Sequence, residues 1–251
     1  MGFCIEFKDA VLRFFEMQSG GFDLRISAGE RVGIVGKSGS GKTQLLKTIL
    51  GAQSLQKGVV KVGDFVHPCK NHRAFLRYVS FVPQEVYNSL NPCQKVVDAV
   101  TEPMLVHGII RRSEKRAHAI KLLEKVGLDE GYLLRTPQQL SLGQCQRVLI
   151  ARAISTKPEV ILADEPFSGL DPLNANNMME LLRLAWLETG CTLIVVSHSL
   201  FLIYGLCDRI VVIDNGKPVE DGKPFDVFHT PKTDVATALV QVERSLMKAV
   251  L

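Results

Sequence analysis

The sequence predicts an α/β fold with a mostly parallel core sheet, an antiparallel β-subdomain near the N-terminus and an inserted α-helical lobe. Three observations carry this reading. Short apolar runs such as Val160-Ile161-Leu162-Ala163 and Leu193-Ile194-Val195-Val196 alternate with segments of helical period. The first 26 residues instead alternate apolar and polar, at Ile5 and Phe7 and across Phe22-Asp23-Leu24-Arg25-Ile26. Residues from about 86 to 152 read as helices with no strand between them.

Taken in order, residues 5–7 and 22–26 are expected as antiparallel strands. Arg31-Val32-Gly33-Ile34-Val35 is a buried strand, and residues 44–50 form a helix closed by Gly51. Strands follow at 59–62 and 79–82. The lobe holds helices at 96–106, 113–126 and 143–155, the second with Ser113 as its cap. Strand and helix then alternate: strand 160–163, helix 173–188, strand 192–196, helix 199–206, strand 209–213. That alternation implies parallel strands with helices on the sheet's faces.

The 251 residues suffice to bury a sizeable core, and the 46% hydrophobic and 22% charged content is that of a globular chain. A net charge of +4 is too mild for a nucleic-acid binder. The cluster Arg111, Arg112, Lys115 and Arg116 reads as a solvated helix start. The N-terminus carries charge where a signal peptide needs an apolar run, and Glu6 breaks the myristoylation pattern. No apolar stretch approaches the ~18 residues of a spanning helix. These features lead to the expectation of a chain in the cytosol unless a partner holds it at a membrane. The six cysteines, Cys4, Cys69, Cys93, Cys145, Cys191 and Cys207, form no CxxC pair and are expected as reduced, mostly buried thiols.

Gly36-Lys37-Ser38-Gly39-Ser40-Gly41-Lys42-Thr43 fits G-x-x-x-x-G-K-[ST], between a buried strand and a helix. The glycines let successive backbone N–H groups turn inward as an anion nest, and the helix that follows adds its positive end. Lys42 supplies a cation to the β- and γ-phosphates, and Thr43 a hydroxyl to Mg²⁺. The strand Val160–Ala163 runs into Asp164-Glu165. Asp164 in that place holds Mg²⁺ through water, and Glu165 orients and polarises the attacking water. His198 follows the strand 193–197 near the same edge, where it can contact the γ-phosphate or support Glu165.

Together with these, Leu140-Ser141-Leu142-Gly143-Gln144-Cys145-Gln146-Arg147 is similar to the LSGGQ-x-QR signature of the nucleotide-binding subunits of ABC transporters, and Ser168-Gly169-Leu170-Asp171 is similar to their D-loop. The order of motifs matches, and the resemblance covers essentially the whole chain. It implies one P-loop ABC cassette, with residues 1–85 and 153–251 as a core with its β-subdomain and 86–152 as the helical signature lobe. It also implies ATP and Mg²⁺ as cofactors and Gln84 as the glutamine that senses Mg²⁺ and the γ-phosphate. Phe14 is implied as the ring stacked on adenine, with Phe15 as the alternative. Family members pair head to tail, so Ser141, Gly143, Gln144 and Asp171 are implied to serve the nucleotide of a partner cassette. One departure stands out: Leu142 replaces the usual third-position glycine. Its side chain is expected to crowd the turn into the helix and to slow the partner's site rather than the one built on Lys42.

Tyr87-Asn88-Ser89-Leu90-Asn91-Pro92, Pro137-Gln138-Gln139 and Phe228-His229-Thr230-Pro231 resemble the oligopeptide, dipeptide and nickel importers within that family. The short segment after Pro231, without cysteines, favours the nickel or metal-chelate members. The implied assembly has a second, non-identical ATPase, two permeases and an extracytoplasmic binding protein, with this chain peripheral on the cytoplasmic face of the inner membrane. Two other readings compete. A soluble ABC-type ATPase switch, as in iron–sulfur assembly, lacks the SLNP-like stretch. A plain P-loop kinase or GTPase leaves the signature unexplained.

Overall fold

The computed structural model describes residues 2–13, 21–85 and 89–250, with side chains to 245. Phe14, Phe15 and the start of the SLNP-like stretch lie outside the described residues. Two compact units divide the chain: Met1–His72 with Thr192–Leu251, and Arg73–Cys191.

The first unit holds two sheets. In one, β1 (Ile5–Val11) lies between β2 (Phe22–Ile26) and β4 (Lys57–Val62), and β5 (Phe65–His67) completes the order β2-β1-β4-β5, all antiparallel. The alternation of Phe22 to Ile26 is realised: Phe22, Leu24 and Ile26 are buried and Asp23 and Arg25 exposed. In the other, β3 (Arg31–Val35) runs parallel to both β8 (Thr192–Val196) and β9 (Arg209–Asp214), with β10 (Lys217–Gly222) antiparallel on β9. Every residue of β8 is buried, as its unbroken apolar run requires. The Thr192 hydroxyl donates to Phe3 O (2.7 Å) and accepts from Gly29 N–H (3.0 Å), which fastens the N-terminal segment to β8. Helices α1 (Lys42–Ile49), α7 (Leu200–Leu206), α8 (Pro224–His229) and α9 (Asp234–Val250) belong to this unit. The short α2 (His72–Phe75) spans the boundary.

In the second unit β6 (Val79–Val82) pairs in parallel with β7 (Val160–Asp164), Val82 opposite Ala163. Around them are α3 (Val96–Val106), α4 (Lys115–Lys125), α5 (Leu142–Ile154) and α6 (Pro172–Thr189). α5 carries the largest buried stripe, from Cys145 through Val148 and Leu149 to Ile154.

Ser113 does not cap α4. Residues 112–114 form a 3-10 turn, closed by Arg111 N–H donating to Glu114 Oε2 (2.7 Å), and α4 starts at Lys115 with no side-chain cap. The signature helix starts one residue earlier than expected. Ser141 is its N-cap: Gln144 N–H donates to Ser141 Oγ (3.3 Å) and Ser141 N–H to Gln144 Oε1 (3.0 Å). Leu142 is the first helical residue, and the capping box closes across it, so its side chain does not disturb this chain's own turn. Cys145, Cys191 and Cys207 are buried, Cys4 and Cys69 half-buried and Cys93 exposed; all six are free thiols. Burial pushes the Cys145 and Cys191 thiols up to about 11.

Two polar clusters fasten the first unit. Glu220 on β10 is 9% exposed, and its carboxylate accepts from Lys232 N–H, Thr233 N–H and the Thr233 hydroxyl at 2.8–3.0 Å, anchoring the entry to α9. Glu220→Ala leaves these donors unpaired in a buried place and is expected to cost about 2–3 kcal/mol in urea denaturation. At the start of β3, Arg31 donates twice to Asp208 (2.6 and 3.0 Å), and this hydrogen-bonded guanidinium holds the Asp208 carboxyl below its usual range. A carboxyl lowered in the folded state stabilises above its unfolded pKa of about 3.9 and loses that contribution as pH falls through the folded value. Thermal melts should therefore show Asp208→Asn below wild type at pH 7, with the gap closing below about pH 4.

Candidate nucleotide site

Within the first unit, the register of β3 with β8 pairs Ile34 with Val196. Gly36 and His198 each stand two residues beyond that pair, so the loop 36–43 and His198 leave the same end of adjacent parallel strands. The loop is tightly pinned. A Cβ on Gly36 would lie 2.3 Å from Ile213 O and 2.6 Å from Ser40 Oγ, so no side chain fits there. Gly216 N–H donates to Ser40 O (2.9 Å), and Ser40 N–H to Lys37 O (3.1 Å). Gly39 and Gly41 take φ of +78° and +107°, which turns the intervening peptides and sets up α1.

Lys42 is 8% exposed, and its ammonium donates to Gly36 O (2.8 Å) and Lys37 O (2.9 Å). It is therefore held across the mouth of the loop. Lys37, Ser38 and Gly39 are exposed; Ser40 and Gly41 are buried; Thr43, in the first turn of α1, is half-buried. Ser40 Oγ is buried without a hydrogen-bond partner among the described residues. No side chain caps α1 and no acidic residue stands in its first turn. α5 and α6 differ, because Ser141 and Asp171 cap them from within the chain. A cradle of inward peptides, one poised ammonium and a helix start with no side-chain cap is built for a polyanion. The exposed His198 is set in a bend between β8 and α7, where Ser199 N–H donates to Ser197 Oγ (3.0 Å).

Within the second unit, Val82 opposite Ala163 puts Gln84 at the same strand end as Asp164 and Glu165. Gln84 Nε2 donates to Ser168 Oγ (3.2 Å), and Ser168 N–H to Glu165 O (3.1 Å), which ties the glutamine to the turn after β7. Asp164 is 9% exposed. Glu165 is half-buried and takes φ +46°, a left-handed conformation unusual for a non-glycine residue and costing on the order of 1 kcal/mol. This kink turns the chain as it leaves the strand.

The signature residues gather elsewhere in this unit. Besides capping, Gln144 Nε2 donates to the Tyr132 hydroxyl (3.1 Å). A Cβ on Gly143 would meet only Asn174 Oδ1, at 4.0 Å, so nothing among the described residues requires glycine there. Asn174 is the first-turn partner of Asp171, whose carboxylate accepts from Leu173 N–H and Asn174 N–H at 3.0 Å. These bonds hold the exposed Asp171 carboxyl below its usual range, the contact with Asn174 N–H contributing most. The N-termini of α5 and α6 thus lie side by side, with Ser141, Gly143, Gln144 and Asp171 around them. Sequence reasoning missed Asn174 and the tie of Ser168 to Gln84; the S-x-x-Q pattern at Ser141 could have announced the capping box. Phe14, expected against adenine, lies outside the described residues.

The donor set expected for Mg²⁺, the Thr43 hydroxyl, the Gln84 amide oxygen and the Asp164 carboxylate, is all oxygen, the chemistry a hard divalent cation selects. Among the described residues no helix is long and apolar enough to cross a membrane.

Comparison with known proteins places the chain in a family. The family described as ABC transporter matches residues 20–168. The oligopeptide transport ATP-binding protein OppF of Lactococcus lactis subsp. lactis (strain IL1403) is 36% identical over 215 residues, 84% of this chain and 67% of OppF. The nickel import ATP-binding protein NikE of Pseudomonas putida (strain KT2440) is 35% identical over 204 residues, 80% of this chain and 75% of NikE. The methionine import ATP-binding protein MetN 2 of Enterococcus faecalis (strain V583) is 34% identical over 224 residues, 88% of this chain and 64% of its own length. The chain thus spans about two thirds to three quarters of these relatives. Among solved structures, the dimeric post-hydrolysis ATP-binding cassette MJ0796 bound to ADP and Pi superposes with a TM-score of 0.72 at 28% identity, covering 88% of this chain and 98% of that one. With a family match over more than half of its length and relatives above 30% identity, the chain belongs to the ABC transporter family, as one of its ATP-hydrolysing cassettes.

Proposed function

We propose that the chain is the ATPase subunit of a membrane ABC importer that takes up nickel, a metal chelate or a small peptide. The observation that carries the reading is the pinned loop 36–43 opening into a helix that no side chain caps, in a chain whose relatives include a nickel and an oligopeptide transport ATP-binding protein. The proposed assembly pairs this cassette with a second, non-identical one, two permeases and an extracytoplasmic binding protein, and holds it peripherally on the cytoplasmic face of the membrane. The Ser89-Leu90-Asn91-Pro92 stretch, which begins five residues after Gln84, supports the subfamily.

In this mechanism the loop peptides and the start of α1 bind the phosphates of ATP. Lys42 turns its ammonium from the Gly36 and Lys37 carbonyls to β- and γ-phosphate oxygens. Thr43, Gln84 and Asp164 hold Mg²⁺, which supplies charge neutralisation on the β- and γ-phosphates. Glu165, set apart by its left-handed backbone, accepts a hydrogen bond from the attacking water and takes its proton late in the reaction. His198 steadies the γ-phosphate or Glu165. Ser141, Gly143, Gln144 and Asp171 serve the nucleotide held by the partner cassette; the unfilled space at Gly143 leaves backbone open to a phosphate from outside the chain. Closing of the pair on ATP and opening after hydrolysis drive the permeases through the segment that begins at Gln84.

Glu165→Gln should lower phosphate release by the assembled complex about 100-fold or more while leaving ATP affinity within about threefold. The same change made only in the partner cassette should cost less, because that site depends on the signature bearing Leu142. Equal losses, measured in mixed pairs, contradict the asymmetry; unchanged hydrolysis in Glu165→Gln contradicts the assignment of the base.

A further inference from the structure

The second unit carries a cavity of about 580 Å³ that none of the residues placed at the nucleotide line. Its floor is apolar. Met104, Leu122 and Ile154 are at most 8% exposed, and Ile109 and Tyr78 form half-buried walls. Its rim is cationic: Arg77, Lys121, Lys125 and Lys157 line it, with His118. Among the described lining residues the only carboxylate is Glu188, and that is already paired with Lys125. No carboxylate among the described residues is in ion-pair range of Arg77, Lys121 or Lys157. Lys157 is held at the rim by a turn in which it takes φ +50° and donates its N–H to Ile154 O (3.0 Å).

This excess of positive charge is felt nearby. His107, at the end of α3, is held below its ordinary pKa by burial first and then by repulsion from Arg73 and Arg77. A volume in the range of small-molecule pockets, an apolar floor and uncompensated cations at the mouth are complementary to one kind of ligand. We propose that this cavity binds a small amphiphilic anion, an acyl carboxylate whose tail lies on Met104, Leu122 and Ile154 and whose head meets Arg77, Lys121 and Lys157. A partner helix or a bilayer calls for an extended groove or an open face, whereas this hollow is of single-molecule size. Unoccupied, the lysine stems only cover the apolar floor and extend their charges into water; the test separates that case from a binding site.

The experiment is calorimetric titration of the whole chain with decanoate below its micellar concentration, alongside acetate and decyltrimethylammonium. Decanoate should bind saturably at one site, and acetate and the cationic amphiphile should not. The Lys121→Ala/Lys157→Ala double variant should weaken decanoate about tenfold or more, Ile109→Asn should also weaken it, and about 0.5 M salt should do the same to wild type. Both variants should keep the wild-type melting temperature and ATP affinity, so that loss of decanoate binding is not loss of fold. Absence of saturable decanoate binding overturns the proposal, as does equal binding by the double variant or by the cationic amphiphile. Lysine-dependent sedimentation with phosphatidylglycerol vesicles without decanoate binding overturns it in favour of a membrane surface. ATP plays no part in the readout, so this outcome is independent of the proposed transport role.

Discussion

The absence of any room for a side chain at Gly36 is the constraint on which the first unit's chemistry rests. Ile213 O and Ser40 Oγ crowd that position from two sides, so the chain leaving β3 must turn with its backbone exposed to the space the loop encloses. The turn is then fixed twice more, by Gly216 N–H on Ser40 O and by the Lys42 ammonium across Gly36 O and Lys37 O. A loop so constrained has its peptide dipoles oriented before any ligand arrives, and the cost of ordering them falls on folding rather than on binding. The two strands flanking β3 make this possible, because β8 and β9 are buried along their apolar runs and give the loop a rigid base.

The three helix starts bearing site residues are treated differently, and the difference is informative. Ser141 takes the Gln144 N–H of α5, and Asp171 the Leu173 and Asn174 N–H groups of α6, so both helix starts are fixed from within the chain before anything approaches them. α1 has no side-chain cap. Local strain follows the same division of labour. Among the described site residues the one non-glycine residue in the left-handed region is Glu165, immediately after a strand in which every residue is buried. A strained residue persists there because β7 and the Ser168 turn over-determine it.

Much of this was legible in the sequence because the signals are local. Apolar runs located β3, β7 and β8 to within a residue, and the loop motif announced itself by its glycines. What escaped depends on contacts distant in sequence or on polar geometry. β10 is an edge strand, Lys-Pro-Val-Glu-Asp-Gly, with one buried side chain; no apolar period marks it, and its Glu220 is buried only because the backbone at Lys232 and Thr233 comes to meet it. β5 is three residues long and none is fully buried. Ser113 looked like a cap, but Glu114 reached the Arg111 N–H first and moved the helix start. The partnership of Gln84 with Ser168 joins residues 84 positions apart, which no motif encodes.

The most direct measurement is calorimetric titration of the purified chain with ATP and Mg²⁺, comparing wild type with Lys42→Ala. The account predicts saturable binding by wild type and a loss of about tenfold or more in affinity when the ammonium that spans the loop is removed. Wild-type protein that gives no heat with ATP, or a Lys42→Ala variant that binds as tightly as wild type, contradicts it.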